Sequence, residues 1–114
     1  MTEAKMLVFA NAVEGQDDAF NEWYDTTHLA DVVKVPGISA GQRYDLVPGA
    51  LPGRAAAAPA HRYLAVYDLT AEPAEVVAEF TKRAGSGEIP LSPTLDVASL
   101  SVAVWKPHGA AVTG

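Results

Sequence analysis

Residues Met6 to Val13 read as a β-strand without a polar face. Met6, Val8, Ala10 and Ala12 fall on one side and Leu7, Phe9 and Val13 on the other, with Asn11 the exception. A strand with one face in water alternates apolar with polar residues, so this one needs cover on both sides. The chain is 114 residues long, which suits one domain, 1–114, with a modest core. A two-sided burial problem with so little material leaves few folds open.

The rest of the chain supplies three more strands and two helices. Glu14-Gly15 turns the chain, and Gln16-Asp17-Asp18 opens a helix with acids in its first turn, where the helix dipole favours them. At 100° per residue Phe20, Trp23, Tyr24 and Thr27 share one stripe, with His28 at its edge. Leu29, Val32 and Val33 then point elsewhere. A bend or restart is therefore expected near Thr26-Thr27-His28, where two β-branched residues are weak helix formers. Pro36-Gly37 ends the helix.

Ile38 to Leu46 is a second strand, with Ile38, Ala40, Tyr44 and Leu46 facing one way and Ser39, Gly41, Arg43 and Asp45 the other. Val47 to Ala60, with Pro48, Gly49, Pro52, Gly53 and Pro59, reads as a long loop, with a helical turn possible at Arg54 to Ala58. His61 to Leu69 is a third strand. Thr70 to Ala84 is the second helix: Thr70 or Glu72 caps it, Pro73 sits in its first turn, Val76, Val77 and Phe80 form its stripe, and Gly85 stops it. Leu95 to Trp105 is the fourth strand.

The order is β-α-β-β-α-β. Right-handed crossovers place both helices on one face of a four-stranded antiparallel sheet, the ferredoxin-like α+β plan. Too little chain remains to cover the other face. A second copy of the same sheet is the simplest cover, so a homodimer with two sheets face to face, a barrel-like body, is expected.

Composition narrows the functions. Hydrophobic residues make up 49% and charged ones 19%, as in a folded domain. The net charge of −6, from 8 basic against 14 acidic residues, argues against nucleic acid, which needs clustered Lys and Arg. No basic amphipathic stretch or spanning segment points to a membrane. Without cysteine there is no disulfide, thiolate nucleophile or cysteine-based metal site. Met1 to Lys5 shows no charged leader before an apolar run, so a cytoplasmic location is expected. The Ala-, Gly-, Pro- and Val-rich usage fits a GC-rich bacterial source.

His28 is the leading candidate for chemistry. An imidazole titrates near pH 6.5 and serves as general acid or base, or it simply satisfies carbonyls at a helix end. Trp23 and Tyr24 would wall it, and Asp25 or Asp31 could orient a ring nitrogen. Tyr24, Tyr44, Tyr63 and Tyr67 are hydrogen-bond donors to a carbonyl or phenolate, or else core rings with one wet end. Arg43 pairs with a substrate anion or, more in keeping with its place mid-strand, with Asp45 or Asp68 across the sheet. Asn11 either points its amide into a cavity or closes a strand end. His61 and His108 lack helical spacing to a second histidine, so no metal site is expected.

The run Phe20-Asn21-Glu22-Trp23-Tyr24-Asp25-Thr26-Thr27-His28-Leu29, followed by Val35-Pro36-Gly37-Ile38 and Arg43-Tyr44, resembles the pattern of EthD-like proteins in the dimeric α+β barrel superfamily. That pattern is Phe-Asn-x-Trp-Tyr-Asp-x-x-His-Leu, then x-Val-Pro-Gly-Phe and Arg-Tyr. The match covers roughly residues 18 to 46, and the second half agrees in topology only. Ala30 stands where many relatives have proline, and the Val47–Ala60 loop is unusually alanine-rich. The resemblance implies a cleft between sheet and helix with His28 facing it. Similar proteins act in ethyl tert-butyl ether degradation, or as decarboxylases, dehydratases and cyclases on polyketide-like phenolics. Related barrels include isomerases, cofactor-free monooxygenases and haem-handling enzymes.

The expectation is a cofactor-independent acid/base enzyme of lyase, isomerase or cyclase type acting on a small apolar, aromatic or polyketide-like metabolite. His28, Tyr24 and Asp25 are its catalytic candidates. Asn11, Trp23, Arg43, Tyr44, Tyr63 and Tyr67 are its binding candidates. The alternatives are a non-catalytic small-molecule binding or accessory protein of a catabolic pathway, or a haem-binding protein or cofactor-free monooxygenase.

Overall fold

The computed structural model describes residues 3–49 and 59–114. Strands β1 (Lys5–Ala10), β2 (Ile38–Asp45), β3 (Tyr63–Leu69) and β4 (Ser101–Trp105) form one sheet in the order β2-β3-β1-β4, every neighbouring pair antiparallel. Helix α1 (Asp17–Trp23) runs through a π-helical turn (Tyr24–His28) into α2 (Leu29–Val33), and α3 (Pro73–Ser86) follows β3. This is the ferredoxin-like α+β arrangement expected from the sequence.

The core lies between the sheet and the helices. Met6, Val8 and Ala10 of β1 and Tyr63, Ala65, Tyr67 and Leu69 of β3 are buried there against Phe20, Tyr24, Val32 and Val76. The alternate residues face the other way: Leu7 and Phe9 pair with Val66 and Leu64 across β1 and β3. Those four are only half-buried, while Tyr44 and Trp105 on the same side are 52% and 61% exposed. The strand that opened the sequence argument thus has one face covered by helices and one face open.

Element ends depart from the sequence reading in instructive ways. β1 stops at Ala10, and Ala12 makes only an isolated bridge to Leu95. A 3-10 turn at Val97–Ser99 separates that bridge from β4, which begins at Ser101 rather than Leu95. β3 begins at Tyr63, two residues after His61. Glu72 is the residue before α3, with Pro73 in its first turn. The helix runs through Gly85, whose missing side chain meets open space, and ends at Gly87, which adopts φ 85°. Only the second glycine has the left-handed conformation that closes a helix.

β2 carries a register shift between Ile38 and Ala40. Ile38 opposes Leu69 and is buried on the helix side, whereas Ala40, Gln42 and Tyr44 oppose Asp68, Val66 and Leu64 on the open side. The bulge corrects the expectation that Ile38 and Tyr44 share a face. Residues 50–58, and with them the turn expected at Arg54 to Ala58, lie outside the described residues.

Candidate functional site

The π turn is what aims the motif inward. Phe20, Tyr24, His28 and Val32 are all buried, at a constant spacing of four. In an α-helix each step of four advances the face by about 40°, so three steps would swing Val32 well away from Phe20. A turn with i→i+5 bonds rotates less per residue and takes the drift back. The Thr26 hydroxyl donates to the Glu22 carbonyl oxygen at 2.6 Å, giving that carbonyl a partner within the widened turn. The phase break expected near Thr26–His28 is therefore a widening that keeps one face on the sheet.

His28 is 6% exposed. Its ring stacks on Trp23, with centroids 4.5 Å apart and 24° between planes, and meets Tyr24 edge-on at 4.8 Å. Nδ1 is buried and has no hydrogen-bond partner. Burial pulls the imidazole down to about 4, with the negative charge of Asp31 opposing that shift. The ring is thus neutral at neutral pH.

Beside it the Tyr24 and Tyr67 hydroxyls are linked at 2.9 Å. Burial pushes both phenols up, so both stay protonated. Tyr67 keeps this position because Gly41 of β2 lies under it: a Cβ there would come within 2.9 Å of the Tyr67 ring and 3.1 Å of Leu29. A glycine inside a strand, facing an aromatic ring on its neighbour, is the sequence signal for such a close approach.

His28, Tyr24 and Tyr67 form one wall of a cavity of about 210 Å³. Phe80 and Ala84 of α3, with Leu91, Leu95 and Leu100 from the segment before β4, form much of the other. Leu91 and Val102 line it and are also exposed, which marks where it reaches the surface. The sequence reading had no account of this apolar wall. Its signal was present in Phe80 on the α3 stripe and in Leu91, Leu95 and Leu100 standing in a segment otherwise rich in Ser, Pro and Thr.

The remaining candidates are placed elsewhere. Arg43 is enclosed, its side chain 13% exposed. Nη1 donates to Asp25 at 2.7 Å and Nη2 to Asn21 at 2.8 Å, and the guanidinium lies 4.6 Å from the Tyr24 ring centroid. Its carboxylate partner is Asp25 rather than Asp45 or Asp68, because the helix-side face of β2 looks at the α1 end and Asp68 is held by Lys5 on the opposite face. Asp25 therefore serves Arg43 and does not line the cavity. The Tyr63 hydroxyl donates to Asp17 at 2.5 Å and is also turned away. Asn11 bonds the backbone at Ala60 and Arg62, fastening the start of β3. Tyr44 stands on the open face, beside a broader depression of about 400 Å³ that also includes His61. The His61 Nε2 lies 2.6 Å from the Ser99 carbonyl oxygen. We place the candidate site at the smaller cavity, because it is lined by His28, whose buried Nδ1 has no partner. Among the described residues no cluster of three potential metal ligands occurs, and no helix is long and apolar enough to cross a membrane.

Solved structures share this architecture. A protein from Shewanella loihica PV-4, described provisionally as a monooxygenase, superposes with a TM-score of 0.63 at 12% identity, over 96% of this chain and 99% of its own. An ethyl tert-butyl ether D (EthD) family protein from Bacillus halodurans C-125 gives 0.59 at 16% identity, over 95% and 100%. The chain has the ferredoxin-like α+β fold of these proteins. HapK from Hahella chejuensis matches at 0.56 with 15% identity, over 97% of this chain and 98% of its own. No family model and no curated protein matches the sequence. At such low identities the likeness speaks for the fold alone.

Proposed function

We propose that the protein is a cofactor-independent enzyme that moves a proton on a small, largely apolar metabolite held between the sheet and α3. The observation that carries this reading is the buried, unpartnered Nδ1 of His28 at the cavity wall, next to a pair of protonated tyrosine hydroxyls. A buried polar atom without a partner is costly to a fold, and a catalytic role is one reason for a fold to keep it.

The chemistry follows from the charge states. Neutral His28 takes a proton from a carbon next to a carbonyl. The electron pair moves onto the carbonyl oxygen, where a tyrosine hydroxyl hydrogen stabilises the developing charge. That negative charge in turn stabilises the imidazolium, which raises the basicity of a ring that is a weak base when the site is empty. The imidazolium then returns the proton to another carbon (isomerase), to a departing hydroxyl (lyase), or to the alkoxide formed when the enolate carbon adds to a second carbonyl of the same molecule (cyclase). Asp25 contributes through Arg43, which it holds against the Tyr24 ring.

Turnover of a panel of small cyclic ketones and phenolics tests the reading. His28→Gln should lower kcat/KM about a hundredfold or more on any substrate found. An unchanged rate would sink the catalytic assignment and leave a binding protein. Oxygen consumed in step with turnover would point instead to monooxygenase chemistry, the provisional description of the Shewanella protein.

The same reading makes the active unit a homodimer. Leu7, Phe9, Leu64 and Val66 form an apolar row on the open face, flanked by exposed Tyr44 and Trp105. Contiguous apolar surface of this kind marks an interface, and a second sheet covers it symmetrically.

A further inference from the structure

The cavity differs from an ordinary apolar gap in how its few polar groups are spent. Tyr24 and Tyr67 together carry two hydroxyl hydrogens, and the 2.9 Å link between them uses one, whichever residue donates. The other is available to an acceptor inside the cavity. Behind the pair, both Nη atoms of Arg43 are engaged by Asp25 and Asn21. The guanidinium lies against the Tyr24 ring without lining the cavity, so it favours electron-rich oxygen at the hydroxyls while offering no ion-pair partner. Among the described residues no Asp, Glu, Lys or Arg lines the space. A ligand carrying a full charge would lose its hydration there without compensation.

Size sets the second limit. The volume of about 210 Å³ exceeds the roughly 150 Å³ that accommodates benzene, and falls short of the roughly 300 Å³ at which pockets for drug-sized molecules begin. One ring with a few substituent atoms fits inside, whereas a fused polycycle would project through the opening at Leu91 and Val102.

We infer that the cavity takes an uncharged molecule of single-ring size bearing one carbonyl or phenolic oxygen, and that the Tyr24–Tyr67 hydroxyl pair is the element that recognises this oxygen. The inference rests on the proposed site and narrows the sequence expectation, which admitted polyketide-like substrates. It requires nothing of the His28 chemistry.

Three probes of equal girth test it by calorimetric titration at neutral pH: phenol, toluene and benzoate. Phenol should bind about tenfold more tightly than toluene, one good buried hydrogen bond's worth, and at least about tenfold more tightly than benzoate. The double variant Tyr24→Phe/Tyr67→Phe should bind toluene within about twofold of the parent and lose the preference for phenol. Unchanged toluene binding also reports that the variant is folded. Equal affinity of the parent for phenol and toluene, benzoate binding as tightly as phenol, a phenol preference that survives the double substitution, or no binding of any probe would each overturn the proposal. His28→Ala separates this from the catalytic reading: the phenol preference should persist in that variant even if its turnover is unchanged.

Discussion

At the scale of single residues the proposed site is marked by groups that give up water without gaining a full set of partners. His28 is the clearest case, and it has a consequence for stability. Unfolded, its imidazole titrates near 6.5; folded, near 4. As pH falls through that window the unfolded chain takes up a proton that the native ring refuses, so stability is lost from about pH 6.5 down to about pH 4 and then levels. Above 6.5 neither state is protonated and the penalty disappears. The full effect is on the order of 3 kcal/mol. Urea unfolding at about pH 7.5 and pH 4.5 should show a steeper acid loss for the parent than for His28→Gln, and equal slopes would contradict a buried neutral ring. Tyr67→Phe should destabilise by about 1–3 kcal/mol, because it leaves the Tyr24 hydroxyl buried with no partner, a loss readable in the same experiment. The sequence alone picked out His28, Tyr24, Trp23 and Tyr67 through residue type and motif. It did not separate these from Tyr44, which the β2 bulge puts on the open face, nor from Arg43, Tyr63 and Asn11, each a sensible ligand-binding residue until its own partner is visible. Asp17, Asp25 and the Ala60 carbonyl settle their roles through contacts between residues 18 to 49 positions apart.

At the scale of elements the hydrophobic period carried most of the fold. Strand faces in β1, β3 and β4 follow the alternation in the sequence, and the order of elements gave the topology. What the pattern missed were local departures from ideal period. The bulge in β2 and the π turn each change the phase within a few residues, and phase is what a periodic reading assumes constant. Both departures shape the proposed site: the π turn holds Tyr24 and His28 on one face, and Gly41, just past the bulge, admits the Tyr67 ring. Gly41→Ala should therefore push that ring aside. It should lower stability by about 1–3 kcal/mol, through overpacking, and weaken phenol binding even though Gly41 touches no part of the cavity. Unaltered thermal stability in that variant would contradict the close approach.

At the scale of the whole molecule, the open sheet face predicts association. Sedimentation at micromolar concentration should give twice the 11.9 kDa of one chain. Val66→Glu, placed mid-sheet on that face, should shift the mass toward a monomer, and a parent mass of 11.9 kDa would rule out the dimer. The two tryptophans of the chain are divided between these two regions. Trp23 lies under the His28 ring, and Trp105 projects from the end strand on the open face. The native emission is therefore the sum of two local reporters that answer different questions. In Trp105→Phe the remaining indole senses the charge and occupancy of the cavity through the ring stacked on it. In Trp23→Phe the remaining indole senses only whether its sheet face is wet. If a ligand fills the cavity and the open faces pair as proposed, the two indoles would report these events separately, with no added dye.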